Sequence, residues 1–134
     1  METKQIITPD IWGPYGWKFL HYLSFGYPTN PTIEQKNQYK TFFLSLQHVL
    51  PCSICSKHYS ENLMKYSLDD ALQDKDSLVR WVIDIHNSVN EIKNKKIYSY
   101  DEAIKLYTTK DNSFFFKFLF ISLLVFLIYH ILKK

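Results

Sequence analysis

Between Tyr15 and Tyr107 the apolar residues recur at three- and four-residue spacing, and each such run is closed by proline, glycine or a polar cap. That is the helical period, and no Asn-Gly or Asp-Gly pair signals a hairpin. Turn-rich Pro9–Pro14 leads into a helix from Tyr15 carrying Phe19, Leu20 and Leu23, with Trp17 and His21 four apart on one face. Gly26, Pro28 and Pro31 end it. Thr32 to Gln35 form a capping box that opens a second helix with the stripe Tyr39, Phe42, Phe43, Leu46, Val49 and Leu50. Pro51 closes that helix and starts a third, through Tyr59, Leu63 and Met64; a short acidic connector, Leu68 to Lys75, follows. Asp76 or Ser77 is expected to cap the next helix, whose apolar residues are Leu78, Trp81, Val82, Ile85, Val89 and Ile92. His86, Asn90 and Lys93 run along one edge of that stripe, where polar groups can meet something bound beside the core. After the basic turn Asn94–Lys96, a second capping box from Ser99 to Glu102 opens a short helix that turns Ala103, Ile104 and Tyr107 inward. The expected fold is all-α, a bundle of four to five helices.

The 134 residues suffice for one small domain, and a formal charge of +3 points to no particular partner, nucleic acid included. Neither phosphate-cradling glycine pattern is present, and Met1 to Pro9 has no apolar core of a signal peptide. The stretch 114–132, FFFKFLFISLLVFLIYHIL, has the length and apolarity of a membrane-spanning helix, which needs about 17–25 residues. Lys117 lies one turn inside and can snorkel, and Tyr129 suits the headgroup zone. The chain therefore divides into a loose segment 1–12, a helical domain 13–108, a linker 109–113 and a single-pass anchor 114–132. An anchor so placed leaves the domain before it in the cytosol.

Both cysteines lie in Cys52-Ser53-Ile54-Cys55, directly after Pro51, too few for a disulfide scaffold. At a helix start the free N–H groups and the dipole favour a thiolate, and residues three apart share a face, so the pair reads as a redox-active dithiol. His48, Cys52, Cys55 and His58 offer zinc-ligand types, but ligands strung along one helix cannot surround a tetrahedral ion. A thioredoxin-like site needs a strand before the motif, where a helical stripe stands instead. Two thiols packed as small hydrophobes are the plainest alternative, against which polar Ser53, Ser56 and Lys57 count. Without a second dithiol in the chain, an organic redox cofactor is the natural electron acceptor.

The run Trp17-Lys18-Phe19-Leu20-His21, then Tyr27-Pro28, Pro51-Cys52-Ser53-Ile54-Cys55, Trp81 separated by four residues from His86-Asn87-Ser88-Val89-Asn90, and Lys95 resembles the Erv/ALR family of FAD-linked sulfhydryl oxidases, from about Gly13 to Tyr107. The short form with one CxxC and an apolar tail is similar to those of large DNA viruses. The resemblance implies a helical FAD-binding domain that forms disulfides in protein thiols and passes the electrons to O2, giving hydrogen peroxide. Cys55 would lie against the isoalloxazine and Cys52 would exchange with substrate. Gly13, Trp17, His21, Tyr27 and Trp81 would border the cofactor. His86, Asn87 and Asn90 would contact the adenosine, Lys95 and Lys96 the pyrophosphate. Tyr107 stands where the family has tryptophan over the adenine. The family's additional shuttle cysteines are missing, so the implied partners are small dithiol carriers or cysteine-bearing substrates, and any homodimer is held without a disulfide. The implied setting is a host or virion membrane. The rival function is a membrane-tethered interaction module whose CxxC binds zinc or is structural.

Overall fold

The computed structural model describes residues 8–109 together with 118, 120–123, 126, 129 and 133. Within residues 8–109 six helices follow one another: α1 (Pro9–Phe25), α2 (Ile33–Val49), α3 (Ser53–Lys65), α4 (Leu68–Ala71), α5 (Lys75–Ile92) and α6 (Tyr100–Thr108). No strand occurs among the described residues. Five substantial helices and one turn of α4 make the expected bundle.

Three element starts differ from the sequence reading. α1 begins at Pro9, so Pro9–Pro14 is its first stretch rather than a turn: Pro9 stands in the first turn, where a missing N–H costs nothing, and Pro14 is carried inside the helix. The cap of α5 is Asp74, not Asp76 or Ser77; its carboxylate accepts the Ser77 N–H at 2.8 Å. α3 starts at Ser53, leaving Pro51 outside it and Cys52 at the cap. Both capping boxes form as the spacing predicts, at Thr32/Gln35 and Ser99/Glu102.

α5 is the central element and packs against α1, α3, α4 and α6. Phe43, fully buried, meets Trp81 edge-on at 5.1 Å, and Leu72, Leu78, Val82 and Ile85 close the core around them. Burying a side chain of that size contributes about 2–3 kcal/mol. The polar tips that enter this core find backbone carbonyls: Tyr27 Oη donates to Leu72, Tyr59 Oη to Phe43 and Trp81 Nε1 to Tyr66. Val79, Ile83 and Ala103 form a second cluster that seats α6. Beyond Ile85 the α5 stripe leaves the core, and its last members, Val89 and Ile92, border open space. The helix face that the periodicity marks as buried is thus shared between core and cavity.

Most of the stretch 114–132 lies outside the described residues. Its described members Phe118, Phe120–Leu123, Phe126 and Tyr129 are helical, with large apolar side chains exposed. Among the described residues no helix is long and apolar enough to cross a membrane.

Candidate active site

The chain leaves α2 through Leu50, bends at Pro51, and enters α3 with Cys52 as the capping residue. Cys52 N–H donates to the Leu50 carbonyl at 2.8 Å, and Cys52 Sγ accepts the Cys55 N–H at 3.2 Å. The two cysteines are joined as a disulfide with their Cα atoms 5.2 Å apart. Cys52 is 6 % exposed, whereas Cys55 is half-buried and forms part of the wall of a cavity of about 390 Å³. That cavity lies between α1, α2, α3 and the end of α5, and its walls are apolar: Trp12, Trp17, Leu46, Leu50, Ile54 and Val89. His58, one turn after Cys55, also faces it.

A second cavity, about 340 Å³, lies on the other side of Trp17 between α1, α5, α6 and the loop after α5. It is polar and basic, with His86, Asn90, Lys95 and Lys96 in its walls and Tyr107 at one side. Pro9, Gly13, Trp17, Val89 and Lys93 border both cavities. A Cβ built on Gly13 meets no atom within 4 Å, so the glycine leaves room where the two join.

The aromatic wall is tightly built. Trp17 stacks on His86 with ring centroids 4.2 Å apart and planes 7° apart, and His21 stacks on Tyr107 at 4.0 Å. His21 Nε2 and His86 Nδ1 lie 3.0 Å apart and share one proton. Among the described residues His21 Nδ1 has no hydrogen-bond partner. A bare ring nitrogen there is tolerated more readily than a buried N–H, which favours His21 Nε2 as the donor and leaves His86 Nε2 carrying its own proton. Burial, then the neighbouring His86, lowers His21 to about 3; burial, then Lys95, lowers His86 to about 4. Both rings are neutral near pH 7.

Of the residues expected at the site, Gly13, Trp17 and Cys55 border the first cavity, and His86, Asn90, Lys95, Lys96 and Tyr107 the second. His21 stands one layer behind, holding His86. Three expected cofactor contacts lie elsewhere. Trp81, 5 % exposed, is a core residue whose indole N–H is bound to Tyr66. Tyr27, 1 % exposed, belongs to the same core and is bound to Leu72. Asn87 clamps the backbone of Tyr98: its Nδ2 donates to the Tyr98 carbonyl at 2.8 Å and its Oδ1 accepts the Tyr98 N–H at 3.0 Å. Through these two bonds Asn87 holds the start of the segment leading into α6 in place. Trp12 and Val89 line the first cavity beyond the residues expected there; Lys93, expected on the polar edge of α5, borders both cavities, and His58, considered above as a zinc-ligand type, lines the first. Val89 and Lys93 were visible on the α5 stripe, whereas Trp12 was obscured by its two flanking prolines. The set His48, Cys52, Cys55 and His58 does not converge; among the described residues no three potential metal ligands cluster, and both sulfurs are in the disulfide.

An apolar cavity with a disulfide cysteine in its wall, sharing five wall residues with a basic, aromatic-walled pocket, fits a flavin dinucleotide. Of the two buried side-chain atoms without partners among the described residues, Trp12 Nε1 belongs to a residue of the first cavity's wall, and His21 Nδ1 to the residue that backs His86. The match to the Erv1/Alr family model covers residues 14–109. The chain is 49 % identical over 100 residues to a mimivirus protein named "Probable FAD-linked sulfhydryl oxidase", covering 74 % of this chain and 70 % of the relative. It is 31 % identical over 96 residues to the FAD-linked sulfhydryl oxidase of African swine fever virus, covering 72 % of this chain and 79 % of that one. The mitochondrial FAD-linked sulfhydryl oxidase of Saccharomyces cerevisiae is 32 % identical over 92 residues, which span 66 % of this chain and about half, 47 %, of the yeast protein. The crystal structure of the yeast Erv1 core superposes with a TM-score of 0.69 at 25 % identity, over 81 % of this chain and 92 % of that one. Cavity, disulfide and relatives agree, and the chain belongs to the Erv1/Alr family.

Proposed function

We propose that this protein is an FAD-linked sulfhydryl oxidase that forms disulfides in protein thiols. One observation carries the reading: the wall of a flavin-sized apolar cavity contains one cysteine of a disulfide, and that cavity shares five wall residues with a basic pocket suited to the rest of a dinucleotide. Trp12, Trp17, Val89 and Cys55 would hold the flat ring system, and His86, Asn90, Lys95 and Tyr107 the adenosine half. FAD held there would supply a two-electron acceptor between the dithiol and O2, with hydrogen peroxide as the product.

The chain's own part is thiol–disulfide exchange. A substrate thiolate attacks Cys52 Sγ; the Cys52–Cys55 bond breaks and Cys55 leaves as a thiolate at the start of α3, where free N–H groups and the dipole stabilise it. A second substrate thiolate then attacks the mixed disulfide, the substrate leaves oxidised, and Cys52 takes up a proton. Two electrons now reside on the dithiol, with Cys55 beside the cavity. Because Cys52 is nearly buried, the substrate that reaches it is a flexible cysteine-bearing segment or a small dithiol carrier.

The test is a spectrum and an oxygen electrode. The purified protein is expected to be yellow, with a flavin absorbance band, and to consume oxygen when dithiothreitol is added. Colourless protein that keeps zinc through dialysis would support the interaction-module reading and end this one.

We further infer that domain 13–108 is tethered through linker 109–113 by residues 114–132, with the domain on the cytosolic face of a host or virion membrane. The length and apolarity of that stretch support this. The exposed stripe Ile11, Tyr15, Phe19 and Tyr22 along α1 supports a non-covalent homodimer, since it is a large apolar face at three- and four-residue spacing. The full chain should resist carbonate extraction from membranes and sediment as a dimer in detergent; release by carbonate, or a monomer, would refute the respective inference.

A further inference from the structure

Resting on the FAD reading above, we infer that Lys93 is the cation that grips the pyrophosphate of the dinucleotide, and that Asp10 is the carboxylate it releases to do so. Lys95 and Lys96 are the cations that the family pattern suggests, and neither stands where the two cavities meet; both border the second cavity alone. Of the residues bordering both cavities, Pro9, Gly13, Trp17, Val89 and Lys93, only Lys93 is charged. In FAD the pyrophosphate joins the flavin-bearing half to the adenosine half. A ligand with its ring system beside Cys55 and its adenine beside His86 therefore passes its two negative charges through this junction. Gly13 supplies the space there and Lys93 the charge.

Lys96 is committed elsewhere. Its Nζ donates to Glu102 Oε1 at 2.9 Å and lies over the Tyr98 ring at 4.8 Å, and Glu102 also closes the capping box of α6. Moving that ammonium to a phosphate would break the 2.9 Å contact to Glu102 Oε1, while the capping box, made through Glu102 Oε2 and the Glu102 N–H, would stay. Lys93 has a looser tie: its Nζ lies 3.5 Å from Asp10 Oδ1 in an ion pair whose side chains are 39 % and 81 % exposed. Such an exposed pair is worth little, so exchanging a carboxylate for a phosphate costs little. Asp10 lies in the first turn of α1 and borders the second cavity, so it holds Lys93 at the junction and also repels an incoming anion.

The test is FAD binding to full-length apoprotein, followed by quenching of flavin fluorescence, with salt varied. Lys93→Met keeps the aliphatic stem and removes the charge; it should weaken FAD by roughly ten- to thirtyfold and flatten the salt dependence. Lys93→Arg should restore both. Asp10→Asn should tighten FAD by about two- to fivefold. Lys93→Met binding FAD like the wild type, or Lys93→Arg failing to restore binding, would overturn the inference. Wild-type apoprotein that binds no FAD would instead overturn the FAD reading itself.

Discussion

Replacing Cys55 by serine yields a folded, yellow protein in which dithiothreitol-driven oxygen uptake falls by about 10³-fold or more. The expectation follows from placement. Cys55 is the sulfur in the cavity wall, and electrons collected at Cys52 reach the cavity only through it. A serine hydroxyl forms no disulfide and is scarcely ionised near pH 7, so it can neither leave during exchange nor hand on a pair. The fold withstands the change, because a disulfide closing so short a loop contributes only about 2 kcal/mol in the chain-entropy account. Cys52→Ser should be equally inactive, for the separate reason that no mixed disulfide forms. Both variants should keep the flavin band, since the walls around Cys55 are otherwise intact. If Cys55→Ser retains a tenth of wild-type turnover, the assignment of the two sulfurs is wrong.

The second large effect is acid destabilisation of the apoprotein through the His21–His86 pair. In the unfolded chain both imidazoles titrate near 6.5. In the folded chain burial lowers them to about 3 and about 4. Between those values and 6.5 the unfolded state binds more protons than the folded one, so stability falls as pH falls through that window and is restored above it. No carboxylate is hydrogen-bonded to either ring among the described residues. Asp10 faces Lys93, Glu102 faces Lys96, and Asp84 accepts from Tyr100. A proton added here places a cation beside Lys95, with Trp17 and Tyr107 against the rings. Going from pH 7.5 to 4.5 should therefore remove on the order of 3–5 kcal/mol, seen as a lower urea midpoint. Carboxylates held low by their partners, such as Glu102 and Asp74, begin to contribute only at the acid end of this range. Replacing both histidines by glutamine should flatten the slope above pH 5. An equal midpoint at pH 7.5 and 5 would be incompatible with two buried neutral imidazoles. Because His86 borders the second cavity, FAD retention should fall over the same range.

The fold was largely legible because its signals are local. Capping boxes, apolar spacing and the three-residue separation of the cysteines each involve contacts within one or two turns, and residue order encodes them directly. The displaced starts of α1 and α5 have the same local character. Pro9 and Asp74 are good first-turn and capping residues, and Pro14 and Asp76 nearby offer competing signals of the same kind. Site membership was less legible. Trp17 and Trp81 are both large aromatics on helical stripes, yet one walls two cavities and the other fills the core against Phe43. Periodicity says that a face is covered and is silent on what covers it.

By itself the sequence determined an all-α domain, a bridgeable dithiol at a helix start, and the polar edge His86, Asn90 and Lys93 beside an apolar stripe. Only the tertiary structure decided that Trp81 fills the core while Trp17 walls two cavities, that Asn87 pairs with the Tyr98 backbone, and that Lys93 borders both cavities. The physical reason is distance along the chain. Those facts depend on α1, α3, α5 and α6 meeting in space, and such meetings are fixed by how the whole set of side chains packs.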